Sequence, residues 1–453
     1  MRPIQPYPML FYGDDFTGAS ANLLEYHRQG LRGILFVNTP TLEQVAMHAA
    51  DVKVLGIAGI SRSLTPTDMA DEIRPVFELF RRLGGRVIQY KICATFDSSP
   101  TRGNFGTVME LARDVFGVEN IPIVAAHPSF GRFTAFANHF AVYQQQAYRL
   151  DRHPSMSKHP ETPMQEADLR RHLANQTSLP IGLCDVVALR TKGDEEIDAI
   201  LSNANFAGTI FDAMEHRDLV TMARAVWRVS HDRSVFTLSS HGFAAGLASH
   251  LAATQTRLHK IVRNPQRPVE SLVVLSGSCS PRTAIQIEHA RANGWQAIRL
   301  PVDALEYESE MHVAEKVAAQ VLEATARGQS IVVYAANGPE DATIAKGRGV
   351  FGAMQSESSA VIGRLYGSVL RLVFAQRTLP RLMLAGGDTS SQTVRALGID
   401  ALTIDAINPA SMEAFMRMHA EQSPFDGVQL LMKAGQNGSD DYFTCARLGE
   451  GWE

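Results

Sequence analysis

The sequence predicts an α/β protein of two domains, an N-terminal one with a parallel sheet and a second α/β unit after it, with a cleft between them. Short apolar runs alternate with amphipathic stretches in two separate series, the pattern of strands joined by helices. A length of 453 residues exceeds what one hydrophobic core usually serves. A basic segment with two prolines separates the two series, as an interdomain linker would.

The first series predicts a parallel sheet with helices on both faces. Amphipathic helical patterns lie between the runs, which implies right-handed crossover connections. Ligands of such sheets bind at the carboxyl ends of the strands. The predicted strands are Met9–Tyr12, Ile34–Val37, Val52–Ala58, Val87–Ile92 and Ile121–Ala125.

The second series predicts another α/β unit. It consists of strands Leu272–Leu275, Ala297–Leu300, Ile331–Tyr334 and Leu382–Ala385 with helices Thr283–Asn293 and Val313–Arg327. The linker covers residues 257–268, where Arg and Lys are frequent and apolar periodicity is lost. We therefore expect one domain over residues 1–263 and another over 264–453, with the boundary near Asn264.

Composition points to a small-molecule partner. The chain is 45% hydrophobic and 20% charged, as ordinary globular proteins are. A net charge of −4 offers no general attraction for nucleic acid or an acidic membrane, and no apolar run reaches the length of a membrane span. Four scattered cysteines with no C-x-x-C pair suit free thiols in the cytoplasm: Cys93, Cys184, Cys279 and Cys445.

Two adjacent acids, Asp14 and Asp15, follow the first predicted strand. At a strand's carboxyl end they are candidates to bind Mg²⁺ or to take a proton from a substrate hydroxyl. The alternative is that Asp15 or Thr17 only caps the next helix. We favour the catalytic interpretation because a cap needs no second acid.

A second polar segment, residues 91–104, follows the fourth predicted strand. Lys91 and Arg102 are candidates to hold a carboxylate, and Asp97 and Ser98 are candidates to bind sugar hydroxyls. The mixture suits a polyhydroxy acid. The alternative is a polar surface turn with solvated charges.

A third stretch is rich in histidine, with His127, His139, His153 and His159. Their spacing matches no metal-binding motif, so we expect no protein-held metal there. Imidazole donors to an anionic substrate are the better interpretation.

Three loops in the second series combine glycine with hydroxyl side chains. They are Ser276–Ser280, Ala385–Ser390 and Lys433–Gly438. Glycines after strands allow backbone N–H groups to approach phosphates, so the three loops together predict a nucleotide site. The G-x-G-x-x-G at Gly347–Gly352 follows no strand and is interpreted as a flexible loop, and no P-loop motif occurs.

In these motifs and their order the chain resembles the four-carbon acid sugar kinase family over nearly its whole length. The shared pieces are Asp14–Gly18, Lys91–Ser98, His159–Pro160 with Thr162–Met164, Ser276–Ser280, Gly386–Ser390 and Lys433–Gly435. The resemblance implies an N-terminal substrate domain, a C-terminal nucleotide domain and transfer of phosphate from ATP to a terminal hydroxyl of 3-oxo-tetronate, threonate or erythronate.

The resemblance also implies which residues act. Asp15 is the expected general base, with Asp14 or Asp388 as alternatives. Mg²⁺ is expected to bridge the phosphates of ATP. The substrate-side positions include Lys91, Asp97 and Ser98, and the expected ATP contacts are Ser276, Ser278, Gly386, Gly387, Asp388, Thr389 and Gly435.

One segment, Phe130–Phe140, is more aromatic than the family's tetronate kinases. It leaves open a branched five-carbon acid such as 3-oxo-isoapionate as the substrate. A nicotinamide-dependent dehydrogenase and a non-catalytic sugar-acid sensor are the rival functions, and a homodimer is also left open.

Overall fold

The chain forms two compact units, residues 1–261 and 262–453. The computed structural model describes residues 7–159, 162–254, 265–353, 358–409 and 413–453. The predicted boundary at Asn264 and most of the predicted linker lie outside these residues, so the boundary between residues 263 and 264 stays a prediction, as does the cleft. Within the described ranges, no helix is both long and apolar enough to cross a membrane.

The first unit is built on an eight-stranded sheet in which every described pairing is parallel. Its order is β2-β3-β1-β4-β11-β5-β10-β9. All five predicted strands are present to within two residues at each end. The strands are β1 (Tyr7–Gly13), β2 (Gly33–Phe36), β3 (Val54–Ala58), β4 (Gly85–Lys91), β5 (Ile121–Val124), β9 (Ile181–Cys184), β10 (Gly208–Phe211) and β11 (Val235–Ser239).

Nine helices accompany this sheet in the described part of the first unit, and the first six begin after a side chain that caps them. The third helix, for example, begins after the cap Thr65 and ends at Gly84, which adopts φ 71°. The helices are α1 (Phe16–Arg28), α2 (Leu42–His48), α3 (Pro66–Leu83), α4 (Phe105–Phe116), α5 (Leu169–Ala174), α6 (Val186–Thr191), α7 (Asp194–Leu201), α8 (His216–Val229) and α9 (His241–Thr254).

A small antiparallel sheet, which we call the insert, is formed by β6 (Arg132–Ala135), β7 (Asn138–Tyr143) and β8 (Gln146–Arg149). It contains the aromatic segment noted in the sequence. The turn between β6 and β7 is fixed by Asp212, whose carboxylate accepts hydrogen bonds from the backbone N–H groups of Phe136 (2.5 Å) and Ala137 (3.0 Å). The insert is therefore tied to the carboxyl end of β10.

The second unit has a mixed sheet of order β13-β14-β12-β15-β18-β17-β16. Its first five strands are parallel, and β17 is antiparallel to both of its neighbours. The strands are β12 (Val273–Ser276), β13 (Gln296–Arg299), β14 (Ile331–Tyr334), β15 (Arg381–Ala385), β16 (Ala401–Ile407), β17 (Ala414–His419) and β18 (Gln429–Lys433).

The helices of the second unit are α10 (Pro281–Ala292), α11 (Glu310–Ala326), α12 (Ala342–Ala353), α13 (Ser358–Phe374), α14 (Gly387–Ala396) and α15 (Tyr442–Leu448). The four predicted strands and two predicted helices are confirmed. The interpretation of Gly347–Gly352 as a flexible loop is wrong, because these residues lie within α12. Packing of Val350 and Phe351, both buried, outweighs the low helix propensity of glycine.

Candidate functional sites

Charged side chains from three neighbouring strands meet at the carboxyl edge of the first sheet. Asp14 and Asp15 directly follow β1, and Lys91 is the last residue of β4. Arg62 comes from the short turn after β3. Since β3, β1 and β4 are adjacent, the parallel sheet brings the four side chains together, and we call them the charge cluster.

The two cations of the charge cluster contact both acids. Arg62 donates from Nε and Nη2 to the two carboxylate oxygens of Asp14, at 3.0 and 2.8 Å, and from Nη2 to Oδ1 of Asp15 at 2.7 Å. Nζ of Lys91 lies 2.9 Å from Oδ1 of Asp15 and 3.3 Å from Oδ1 of Asp14. Two negative and two positive groups therefore balance each other.

The protonation states follow from these contacts. Burial by itself would raise the pKa of Asp15, but the charges of Arg62 and Lys91 and a hydrogen bond from the N–H of Gly18 hold that pKa well below its usual range. Burial would lower the pKa of Lys91, yet Asp15 and Asp14 raise it. Asp15 is thus ionised at neutral pH, and its side chain remains 23% exposed whereas that of Asp14 is 1% exposed.

Asp15 serves both interpretations weighed from the sequence. It caps α1 by accepting a hydrogen bond of 3.1 Å from the N–H of Gly18, and it is also the accessible acid of the charge cluster. Gly18 is required at this point, since a Cβ atom there would lie 1.6 Å from Nζ of Lys91 and 2.2 Å from Oδ1 of Asp15.

The segment after β4 forms a bonded loop next to the charge cluster. Oγ1 of Thr95 donates to Asp97 at 2.6 Å and lies 2.9 Å from Sγ of Cys93. Phe96 adopts φ 59°, a strained value for a residue other than glycine that is often found at functional sites. Its buried ring packs on Phe105, which holds the loop in this conformation.

Ser98 is fully buried, and its hydroxyl is close to three partners. It lies 2.9 Å from Nε2 of His172, accepts from Gln176 at 2.9 Å and donates to the carbonyl of Phe96 at 3.1 Å. Burial lowers the pKa of His172 to about 4, so its imidazole is neutral. This geometry favours a role for Ser98 in holding the loop that carries Asp97.

The other two substrate-side predictions, Arg102 and His159, lie outside the charge cluster and contact other groups. Nη1 of Arg102 donates to the carbonyl of Ser63 at 2.6 Å, beside the turn that carries Arg62. Nδ1 of His159 accepts from the N–H of Thr162 at 3.1 Å. Pro160, part of the family motif, lies outside the described residues.

The second unit contains a cavity of about 690 Å³ lined by all three glycine loops. Among the residues predicted to contact a nucleotide, Ser278, Gly386, Gly387, Asp388, Thr389 and Gly435 line it. Ser276 lies beneath, fully buried, and its hydroxyl has no hydrogen-bond partner among the described residues. The apolar side of the cavity is formed by Val302, Ile344, Phe351 and Ile362.

The glycines hold these loops close together. A Cβ atom on Gly277 would lie 2.4 Å from Oγ1 of Thr389, and one on Gly435 would lie 2.9 Å from Oγ of Ser278. Gly386, at φ 122°, precedes α14 as its N-cap residue, and among the described residues no N-cap side chain bonds to that helix. An uncapped helix N-terminus at a cavity presents N–H groups and positive partial charge to an anion.

A buried lysine supports the floor of this cavity. Nζ of Lys433 donates to the carbonyls of Ala434 (2.9 Å) and Gly435 (3.1 Å) and to Oγ1 of Thr283 at 3.2 Å. Thr283 in turn donates to Ser278 at 3.0 Å. Burial lowers the pKa of Lys433 to about 8, with Glu413 opposing and Arg282 reinforcing the shift.

Sequence reasoning missed several residues of both sites. Arg62 follows a predicted strand, so the rule that selected Asp14 and Lys91 would have found it. His241 follows β11, a strand that was not predicted, and the charges of Lys91 and Asp15 act on its imidazole. No local sequence pattern indicated that Phe351 would line the apolar side of the cavity in the second unit.

Two α/β units, each with a cluster of polar groups or a cavity at the carboxyl edge of its sheet, are typical of a two-domain α/β enzyme. Residues 9–247 match a family described as a sugar-binding N-terminal domain, and residues 273–443 match one described as a nucleotide-binding C-terminal domain. The chain belongs to the four-carbon acid sugar kinase family, and its enzyme class is that of a kinase.

The relatives cover the chain almost completely. A 3-oxo-isoapionate kinase of Paraburkholderia graminis is 34% identical over 446 residues, 97% of this chain and 94% of the relative. A 3-oxo-tetronate kinase of Pseudomonas fluorescens is 30% identical over 97% of both chains. A Haemophilus influenzae protein of known structure shares the fold, with 24% identity, a TM-score of 0.72 and coverage of 97% of this chain and 99% of that one.

Proposed function

We propose that this kinase transfers the γ-phosphoryl group of ATP to a terminal hydroxyl of a small sugar acid of the 3-oxo-tetronate, threonate or erythronate class. The observation that carries the proposal is the cavity of about 690 Å³ whose walls are the three glycine and serine loops. The printed activities of the relatives supply the substrate class. With ATP as the phosphoryl donor, we place the reaction in the cytoplasm.

In the proposed nucleotide complex, the phosphates lie against backbone N–H groups of the Ser278 and Gly386 loops and the N-terminus of α14. The Gly277, Gly386 and Gly435 positions, where a Cβ atom would crowd neighbouring loops, fit a cradle of this kind. Asp388 is the acid among the described residues that line the cavity and fits Mg²⁺, which is commonly held by one carboxylate and the nucleotide phosphates. Bound Mg²⁺ would neutralise phosphate charge.

On the acid side we propose Asp15 as the acceptor for the proton of the attacking hydroxyl, with Asp14 or Asp388 as alternatives. The oxygen–phosphorus bond to the substrate forms as the bond to the β,γ-bridging oxygen breaks, and the hydroxyl proton leaves to the acceptor. A carboxylate with a lowered pKa is a weak base. Phosphoryl transfer passes through a loose transition state, so orienting the hydroxyl matters more than removing its proton early.

The remaining predicted contacts complete the proposed acid site. Asp97 is positioned to bind a substrate hydroxyl from the loop after β4, and Ser98 supports that loop. Lys91 keeps Asp15 ionised and oriented. Arg102 and His159 stay predictions as direct contacts.

A branched five-carbon acid is a second candidate substrate. The observation in its favour is the relative named 3-oxo-isoapionate kinase, 34% identical over 97% of the chain. Two aromatic side chains of the segment Phe130–Phe140, Phe130 and Phe136, are also exposed.

An ADP-release assay with Mg-ATP and a panel of acids tests the proposal. The panel is threonate, erythronate, 3-oxo-tetronates and 3-oxo-isoapionate. Asp15→Asn should lower kcat by about 10²–10⁴-fold and leave ATP affinity unchanged. Asp151→Asn is the control, because Asp151 is ion-paired to Arg149 on the insert and lies outside the charge cluster.

If one acid is turned over, and Asp15→Asn loses this activity while Asp151→Asn keeps it, the kinase proposal is supported and the substrate is identified. Absence of ADP release with every acid, together with absence of ATP binding, would refute the proposal and favour a sensor. Light scattering on the same preparation distinguishes a monomer from the homodimer that the sequence left open.

A further inference from the structure

The charge cluster does not supply a free cation for the substrate's carboxylate. Arg62 and Lys91 each contact both Asp14 and Asp15, so their charges are already compensated. An anion brought next to them would also be repelled by the ionised Asp15. A sugar acid therefore needs a positive group elsewhere at this edge of the sheet.

Arg132, the first residue of β6, is such a group. Only its Nη1 is engaged, donating to the carbonyls of Phe130 (3.0 Å), Gly131 (3.2 Å) and Val142 (3.4 Å). Its Nε–H and Nη2–H groups have no hydrogen-bond partner, and its guanidinium forms no ion pair, within the described ranges of residues 7–453.

The backbone places Arg132 at the carboxyl edge. Its N–H donates to the carbonyl of His127 at 3.2 Å, and the N–H of His127 donates back to the carbonyl of Arg132 at 2.9 Å. His127 comes three residues after β5, whose neighbour in the sheet, β11, is next to β4. Arg132 is therefore fixed to the same edge as the charge cluster.

The electrostatic neighbours of Arg132 belong to the acid site. Burial lowers the pKa of its guanidinium, while Cys93 and Asp97, on the loop after β4, act in the opposite direction. Its charge acts on His241, on which the charges of Lys91 and Asp15 also act. It also acts on His139 and His153, whose pKa values are lowered first by burial, so both imidazoles are neutral and add no positive charge.

We propose that Arg132 binds the carboxylate of the substrate and makes the enzyme select acids over neutral sugars. The proposal rests on the sugar-acid kinase function. A half-buried guanidinium that is in contact with no carboxylate among the described residues is costly, and a bound carboxylate relieves that cost. The two N–H groups left on one side of the fork suit a bidentate contact with a carboxylate.

Calorimetric titration in the absence of nucleotide tests the proposal directly. The ligands are the acid that the panel assay identifies, or threonate if none turns over, and the amide of the same acid. The wild type should bind the acid roughly 10²-fold more tightly than the amide, as expected for charge-assisted hydrogen bonds. Arg132→Met should lower this ratio to near one, and Arg132→Lys should give an intermediate ratio.

Arg149→Met is the matched control. Arg149 is also on the insert but is ion-paired to Asp151 at 3.0 Å, so its loss should leave the ratio of affinities unchanged. The same variants in the ADP-release assay should show a raised KM for the acid in Arg132→Met, with kcat and the KM for ATP within about threefold of wild type. A thermal midpoint equal to that of the control shows that the variant is folded.

The outcomes separate the two proposals. An unchanged ratio of acid to amide affinity in folded Arg132→Met, or no preference for the acid in the wild type, would overturn the role of Arg132. Binding that depends on Arg132 without ADP release would refute the kinase proposal and keep the carboxylate site. If Arg132→Met does not fold, Arg132→Lys takes its place: a ratio of acid to amide affinity equal to that of the wild type would then overturn the role of Arg132.

Discussion

The carboxyl edges of the two sheets offer ligands opposite chemistry. In the first unit, four charged side chains from three strands compensate each other around Asp14 and Asp15. In the second, the cavity is lined mainly by backbone, hydroxyl and apolar groups, and the cation beneath it, Lys433, donates to main-chain carbonyls. Fixed side-chain charges distinguish the hydroxyls of a small acid, whereas backbone N–H groups suit phosphates.

Because of this difference, the two sites should be sensitive to different kinds of substitution. The proposed acid site depends on pairs of charges, so deleting one member leaves another buried and unpaired. The proposed nucleotide site depends on close approach of main chains, so adding a single carbon atom is enough to damage it. The following predictions use that contrast.

The largest effect is expected for Lys91→Met. Removing the ammonium leaves Arg62 as the one cation of the charge cluster for two acids, of which Asp14 is only 1% exposed. The free energy of unfolding should fall by about 3–5 kcal/mol because a buried charge loses its partner. The check is the denaturant midpoint of the first unfolding transition. Asp14→Asn in the same chain should recover part of the loss.

Lys192→Met is the control for that experiment. Its ion pair with Glu196 is exposed on both sides, and such pairs contribute little to stability. An equal decrease in the free energy of unfolding in Lys91→Met and Lys192→Met would show that the charge cluster is not a buried network.

A reciprocal pair of glycine substitutions should separate the two sites. Gly18→Ala forces Lys91 and Asp15 apart, and Gly277→Ala forces apart the loops that contain Gly277 and Thr389. Displacement of about 1 Å at a catalytic site can cost roughly 10²-fold in rate. We expect Gly18→Ala to lose acid turnover with normal ATP binding, and Gly277→Ala to lose ATP binding with normal acid binding.

Titration calorimetry with ATP and with the acid checks this reciprocity. If either variant is folded but binds neither ATP nor the acid, the assignment of one ligand to each unit is contradicted.

A smaller effect is expected from pH. Asp15, with its pKa well below the usual range, stays ionised from pH 5 upwards, so acid binding should be nearly constant between pH 5 and 8. Lys433, with a pKa of about 8, is charged below pH 8 and neutral above it. Affinity for Mg-ATP, whose phosphates are fully ionised in that range, should therefore fall several-fold between pH 7.5 and 9.5.

Calorimetry over this range measures both affinities. Lys433→Met should remove the dependence of ATP affinity on pH above 8. Uptake of a proton when the acid binds at pH 5.5 would show instead that Asp15 has a raised pKa.

The smallest effect is expected for Gly349→Ala in α12. Outside the backbone of α12 itself, no atom of the described residues lies within 4 Å of the added Cβ, and alanine is favoured over glycine in a helix interior by about 1 kcal/mol. ATP affinity should be unchanged and the thermal midpoint equal or slightly higher. A fall in the midpoint would argue against helix at Gly347–Gly352.

Local patterns were enough to predict much of the fold and part of each site. Asp14, Lys91 and the Gly386 loop were found because polar residues and glycines after strands stand out in a chain of apolar runs. The antiparallel strands β16 and β17 and the insert were missed, since such strands lack the continuous apolar runs of central parallel strands. The parallel strands β9, β10, β11 and β18 were missed as well, although β10 and β11 are fully buried.

The sequence by itself determined the α/β class, the two units and the acids and glycines placed at strand ends, because these depend on periodicity and on backbone rules that operate over a few residues. Only the tertiary structure decided which charges meet. Lys91 and Arg62, 29 positions apart, are both committed to Asp15 by the strand order, while Arg132 is left with an open guanidinium edge by the turn of the insert. Strand order and long-range pairing set these contacts, and neither is encoded in local spacing.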